Sequence, residues 1–338
     1  MEEVKLTSLV RSSGCNAKLP PGDLHRALDG LVSVKDGNLL EGFESSDDAL
    51  VYDLGDGRVL IETVDFFPPM VDDPFVFGQI AAANAISDIY AMGGRPALAM
   101  SLMCFPSCLD IKVMRRIMEG AISKAGEAGV VIAGGHTLSD REPKFGLAVT
   151  GFADAKDVWS NKGARVGDAV ILTKRLGTGL LMTAHKAGET DASEAIEQMR
   201  TLNRAAAENA SGLTVHAATD VTGFSLMGHS YEVAVASSVT VCIDFASLRF
   251  LPGAEDAARF GFVPEGRYTN EDYLEDKVSI ASSLALHQRD MLFSPETSGG
   301  LLLFMPERDA AIYLERNACA FRIGEVQERC DHPVLVRA

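Results

Sequence analysis

The stretch DPFVFGQIAAANAISDIYAMGG, residues 73–94, limits more than any other what this chain can fold into. Asp73 suits a helix N-cap, Pro74 the first turn and Gly93 the stop, so the spacing predicts a helix of about four turns. Apart from Gln79, Asn84, Ser87 and Asp88, its residues are apolar or small. A helix that is apolar all round is a core helix, and other elements have to cover it. Asn84 and Asp88 are four apart and therefore share one stripe of it. A carboxylate in that setting is costly unless it is paired or bound to metal. The other reading of Asp88 is a buried cap or salt-bridge partner.

Around this helix the pattern is mixed. ALVYDLGDGRVLIETVDFF alternates apolar and polar residues about GDG, which predicts a hairpin with strands near 49–54 and 58–66. Thr63 and Asp65 then lie on one face, a pleat apart. A strand at 97–103, a helix at 110–128 and apolar runs from Val130 to Ala133 and Phe145 to Gly151 follow. Gly135, His136 and Thr137 are expected in a loop at a strand end, where glycine lets backbone approach a ligand. A chain of 338 residues is long for one core, so two domains of about 150 residues each are expected, with ADAKDVWSNKGARVGDA as the boundary.

The second half restarts with a strand in AVILTKRLGTG and has helical patterns near 178–188 and 192–211. In TDVTGFSLMGH, Asp220 and Thr222 precede an apolar periodicity, so this turn feeds a helix N-terminus with free N–H groups for an anion or metal-bridged phosphate. The bland reading is that one of the two merely caps the helix. TSGGLLLF is a second small-residue loop entering a strand. Neither GxxxxGK[ST] nor GxGxxG is present.

Charge narrows the partners. The formal net charge of −16 argues against a nucleic-acid binder, which needs clustered Lys and Arg. Eleven acids face one base, Arg58, between Glu41 and Asp88. Such a field repels bare phosphates, but divalent cations reverse its sign, and Mg²⁺ bridges carboxylates to nucleotide phosphates. A solvated acidic face is the alternative. No stretch approaches the roughly 18 apolar residues of a membrane span, no leader pattern is evident, and six cysteines without a CxxC pair suit reduced thiols. The expected setting is the cytoplasm, with no membrane partner. RSSGCNAKLPPG places Cys15 and Lys18 three apart in a turn-rich segment, where a neighbouring lysine is expected to lower a thiol's pKa.

Together the segments LTSL, SGCNAK, SDDALVYDLGDG, TVDFFPPMVDDPFVFGQIAAANAISDIYAMGG, AGGHT, FGLAVTG, TDVTGFSLMGH and TSGGLLL closely resemble the selenophosphate synthetase (selenide, water dikinase) family, over nearly the whole chain. The Cys and Lys near the start resemble that family rather than its relatives in the aminoimidazole-ribonucleotide-synthetase-like superfamily. The resemblance implies an α+β fold in two domains: a strand-rich N-terminal domain forming a dimer-spanning barrel, and a C-terminal α/β layered domain. The implied divisions are a mobile catalytic segment over 1–46, an ATP/Mg-binding and dimerisation domain over 47–155 and the C-terminal domain over 165–338.

It also implies a reaction: ATP, selenide and water give selenophosphate, AMP and orthophosphate. Carried over by position, Cys15 is the catalytic residue and Lys18 its nucleotide-contacting neighbour. Asp48, Asp88 and Asp220 are the Mg²⁺ carboxylates. Ser45, Ser46, Asp47, Asp65, Asp88, Gly135, His136 and Thr137 are ATP-contacting positions. The implied partners are ATP, selenide, a second copy of the chain and a selenium-delivery protein. Three departures stand out: Asn16-Ala17 where many members have Gly-Cys, Arg11 where some relatives have His, and Ser294-Pro295-Glu296 where the family usually reads Asp-Pro-Gln. Rival readings are a kinase or maturation factor of the same superfamily, such as thiamine-monophosphate kinase, and a non-catalytic selenium- or ATP-binding protein.

Overall fold

Two mixed sheets flank the apolar helix. The computed structural model describes residues 5–28, 30–31, 36–42 and 47–338. The first sheet contains β1 (Leu39–Glu41), β2 (Leu50–Asp53), β3 (Arg58–Phe67), β4 (Arg95–Phe105), β5 (Val131–Ser139) and β6 (Lys144–Asp154), in the order β1-β2-β3-β6-β4-β5. All its pairings are antiparallel except β4 with β5. The second contains β7 (Asp168–Leu172), β8 (Ala217–Asp220), β9 (Thr240–Asp244), β10 (Val278–Ile280), β11 (Leu301–Pro306), β12 (Phe321–Gln327) and β13 (Val334–Arg337), ordered β10-β13-β9-β12-β7-β11-β8.

The predicted helix spans Pro74–Ala91, and Asp73 caps it by accepting from Phe75 N and Val76 N. Every residue from Phe77 to Ala91 is buried, as the absence of a polar face requires. On one side it packs against helix Ile111–Ala128, where the backbones nearly touch. A Cβ on Gly78 would stand 1.9 Å from the Ile117 carbonyl oxygen, and one on Gly120 1.9 Å from that of Phe75. Only glycine fits either position. On its other sides the helix meets β3, β6 and β8, so it lies between the two sheets.

The first sheet is one-sided. Residues of β3 alternate between buried and open, and the open face carries Val64, Phe66, Leu98, Met100, Val131 and Leu138. Among the described residues β1 and β5 remain edges, so the expected barrel does not close within one chain. In the second sheet β7 and β11 are buried on both faces.

Two sequence expectations change. Gly135, His136 and Thr137 lie inside β5 rather than in a loop, because pairing with β4 continues as far as Ser139. The helical pattern near 192–211 is two helices, Ser193–Arg200 and Arg204–Asn209.

Candidate functional site

The site is assembled where the Pro74–Ala91 helix, the first sheet and the second sheet meet. Cys15 lies in a short 3₁₀ turn, Gly14–Ala17, docked from several directions. Gly14 N–H donates to the Pro68 carbonyl (3.0 Å), and Cys15 N–H to Thr297 Oγ1 (3.1 Å). Asn16 Oδ1 accepts from Gly266 N–H at 2.6 Å. Cys15 Sγ donates to Asn84 Oδ1 (3.3 Å). The thiol is only 1% exposed. Burial pushes its pKa up to about 12, although Lys18 works in the opposite direction. The lowered pKa expected from Lys18 is therefore not what the structure has: desolvation outweighs the neighbouring charge.

Lys18 lies 3.2 Å from Asp65 Oδ2. Burial opposes its charge, but Asp65, then Cys15, Asp88 and Asp220, hold its ammonium protonated above the usual lysine range. Asp65 also accepts from Asn84 Nδ2 at 2.7 Å, and Asn84 Oδ1 takes Ser298 N–H at 2.9 Å. One buried amide thus ties the thiol, the Lys18 partner and the 294–300 loop together. Its spacing from Asp88 on the apolar helix was the signal for it in the sequence.

Asp88 accepts from Thr63 Oγ1 at 2.5 Å across to β3. Asp48 accepts from Thr219 Oγ1 at 3.0 Å, and Asp220 ends β8 with 1% exposure. All three carboxyls are raised above the ordinary range. For Asp48 burial leads, followed by the facing Asp220 and Asp88. For Asp88 it is burial, then Asp220 and Asp65. For Asp220 burial outweighs a Ser87 hydrogen bond and the charges of His229 and Lys18. Asp47 accepts from Asn161 N–H at 2.9 Å, and burial pushes its pKa up to about 7.

This is an electrostatically incomplete arrangement. Among the described residues, Asp47 Oδ2, Asp48 Oδ2 and Asp220 Oδ2 are buried without a hydrogen-bond partner. Mutually destabilising carboxylates with spare oxygens suit a hard divalent cation. No three such side chains among the described residues close on a single point by themselves. That agrees with Mg²⁺, which usually keeps several waters and takes only one or two carboxylates beside substrate phosphates.

Not every expected residue joins the cluster. Ser45 and Ser46 lie outside the described residues. Register places Asp65, Leu147, Ser101 and Gly135 in one row across β3, β6, β4 and β5, so Gly135 is about 14 Å from Asp65 on the same face. His136, paired with Leu102, points to the open face. Lys174 was not anticipated. It is buried, its Nζ donates to the Thr201 and Ser298 carbonyls at 2.6 and 2.8 Å, and burial lowers its pKa to about 7. A lysine at the end of the apolar run AVILTK was its signal. A cavity of about 1050 Å³ lined by Tyr90, Trp159 and Arg204 holds none of the residues expected in the site.

Comparison with known proteins follows the same division of the chain. Residues 46–153 match the family described as AIR synthase related protein, N-terminal domain, and residues 165–337 match AIR synthase related protein, C-terminal domain. The sequence is 50% identical to a selenide, water dikinase of Clostridium botulinum (strain Eklund 17B / Type B), covering 99% of each chain. It is 46% identical to selenide, water dikinase 2 of Peptoclostridium acidaminophilum, again over 99% of each. Thiamine monophosphate kinase from Aquifex aeolicus shares the fold, with a TM-score of 0.65, 18% identity and coverage of 94% of this chain and 96% of that one.

Proposed function

As a member of the selenide, water dikinase family, this chain makes selenophosphate from selenide, ATP and water with release of AMP and orthophosphate, and we propose that the interdomain cluster is where it does so. The observation that carries the assignment is the meeting of two groups far apart in sequence. Lys18 stands 3.2 Å from Asp65, and Asp65, Asp88 and Asp220 all act on its charge.

Asp48, Asp88 and Asp220 are the residues that would hold Mg²⁺: Asp48 and Asp220 each keep a buried oxygen without a hydrogen-bond partner among the described residues, and the charges of Asp220 and Asp88 bear on Asp48 as that of Asp220 does on Asp88. When bound, Mg²⁺ neutralises phosphate oxygens and the charge that develops on the leaving groups. Lys18 adds a cation beside them, and its pairing with Asp65 keeps that charge aimed into the cluster. Asp47, Asp65 and Asp88, with Ser45, Ser46, Gly135 and Thr137, are the residues we assign to ATP contact; His136, on the opposite face of its strand, drops out of that set. Cys15 serves the selenium chemistry. Its proton is held against Asn84; burial pushes its pKa up to about 12, and added positive charge beside it would shift it toward the thiolate.

The open apolar face of the first sheet supports a homodimer. Val64, Phe66, Leu98 and Met100 are each close to half exposed or more, a surface that a second copy would bury in completing a barrel across two chains. Phe66→Glu should then shift the sedimenting species toward the monomer. All six cysteines are free, which suits a reducing cytoplasm. No described helix is long and apolar enough to cross a membrane.

The test is ³¹P NMR of ATP, selenide and Mg²⁺ with wild type and Cys15→Ser. Wild type should yield selenophosphate, AMP and orthophosphate. The serine variant should lose selenophosphate while ATP affinity is kept. Selenophosphate formation by the variant within a few-fold of wild type would remove Cys15 from the chemistry.

A further inference from the structure

Glu296 is 1% exposed, yet it touches none of the residues assigned above. Its carboxylate accepts three hydrogen bonds at the start of helix Thr178–Lys186: from Gly177 N–H (2.6 Å), Thr178 N–H (2.9 Å) and Thr178 Oγ1 (2.5 Å). The next contacts lead back to the site. Thr297 N–H donates to Thr178 Oγ1 at 3.1 Å, and Thr297 Oγ1 accepts from Cys15 N–H at 3.1 Å. The Thr297 hydroxyl also acts on the Cys15 thiol, lowering its pKa against the larger effect of burial. One residue further, Ser298 N–H donates to the Asn84 Oδ1 that receives the thiol proton.

We propose that Glu296 is a positioning residue for Cys15: its carboxylate fixes the direction of a hydrogen-bond chain through Thr178 and Thr297 that holds the Thr297 hydroxyl against the backbone and thiol of Cys15. Once ionised, above about pH 7, the Glu296 carboxylate is an acceptor only. The Thr178 hydroxyl must therefore spend its proton on Glu296, which leaves its lone pairs to receive Thr297 N–H. Glutamine in its place would bring an NH₂ group that can donate to the hydroxyl and turn it round. It also has a single oxygen for the donors that Glu296 serves with two. Glu296 is thus matched to the three donors it meets. The Gly14–Ala17 turn depends on the chain in turn, since a Cβ on Gly14 would stand 2.6 Å from Thr297 Oγ1.

The inference rests on the assignment of Cys15 to the chemistry, so its test includes a readout that needs no turnover. The full chain is compared as wild type, Glu296→Gln, Thr297→Val and Thr297→Ser, by iodoacetamide labelling of Cys15 and by selenide-dependent AMP release. Glu296→Gln and Thr297→Val should loosen the turn and label Cys15 at least about threefold faster. They should also lower kcat by about tenfold while leaving KM for ATP within twofold. Thr297→Ser keeps the hydroxyl and should recover most of what Thr297→Val loses. Labelling and kcat at wild-type values in both Glu296→Gln and Thr297→Val would overturn the proposal, as would equal losses in Thr297→Ser and Thr297→Val. Changed labelling with unchanged AMP release would uphold the positioning and instead count against Cys15 as a catalytic group.

Discussion

Two kinds of buried acid stand near the thiol, and they are built oppositely. Glu296 collects three donors from one helix start, and its carboxylate oxygens are all engaged. Asp48 and Asp220 each leave an oxygen without a partner among the described residues, and the charges of Asp220 and Asp88 push Asp48 up as that of Asp220 does Asp88. The difference separates two uses of a buried carboxylate. One whose hydrogen bonds are complete organises the backbone, whereas several that face one another with spare lone pairs await a cation. Stability and activity should therefore respond in opposite ways at the two places.

The largest effect expected is on activity. Asp48→Asn, Asp88→Asn and Asp220→Asn each keep size but remove charge, and each should lower Mg²⁺-dependent AMP release by about 100-fold or more. In the ligand-free protein these variants should melt no lower than wild type, because a repelling charge has gone. An Asp220→Asn enzyme of normal rate would end the idea of a shared cation. Glu296→Ala should behave in the reverse sense. It leaves two backbone donors and a hydroxyl buried without their acceptor, at a cost of about 1–3 kcal/mol for each group, and should lower the melting temperature by several degrees. An unchanged melting curve would show that water replaces the carboxylate and that the two sets are less different than their geometry suggests.

A smaller effect concerns pH. Asp47 and Glu296 are raised to about 7 from ordinary values of 3.8 and 4.5, and Asp48, Asp88 and Asp220 are raised as well. Between those ordinary values and about 7 the folded chain keeps protons that the unfolded chain gives up, so stability falls as pH rises. Each such group contributes about 1.4 kcal/mol per pH unit in its window. Differential scanning calorimetry of the ligand-free protein should accordingly give a lower melting temperature at pH 7.5 than at pH 5. A rise instead would mean that these acids are already ionised in the fold. Smallest of all, millimolar Mg²⁺ at pH 7.5 should recover a few degrees in wild type and less in Asp220→Asn, by preferential binding to the folded state. An equal gain in both would place the cation elsewhere.

Much of this could be read from the sequence because it is local. The caps and periodicity of 73–94 specify a helix and its burial, the GDG turn specifies the β2–β3 hairpin, and alternation puts Thr63 and Asp65 on one face. The stripe of Asn84 and Asp88 was visible in the same way. Thr297, Ser298 and Glu296 were not. Their partners are Cys15, Asn84 and Thr178, and Glu296 lies 118 residues from Thr178. No local rule reports such a separation.

What the sequence by itself determined is the set of elements and the family to which they belong, since period, caps and ordered motifs are written in neighbouring residues. Only the tertiary structure decided the state of the groups. It placed Cys15 at 1% exposure, so that desolvation rather than Lys18 governs its thiol. It also turned His136 to the open face and brought Asp220 up to Asp48 and Asp88. Burial and the distances between charges depend on how the two sheets close on the helix, and they set a group's pKa more strongly than its neighbours in the chain do.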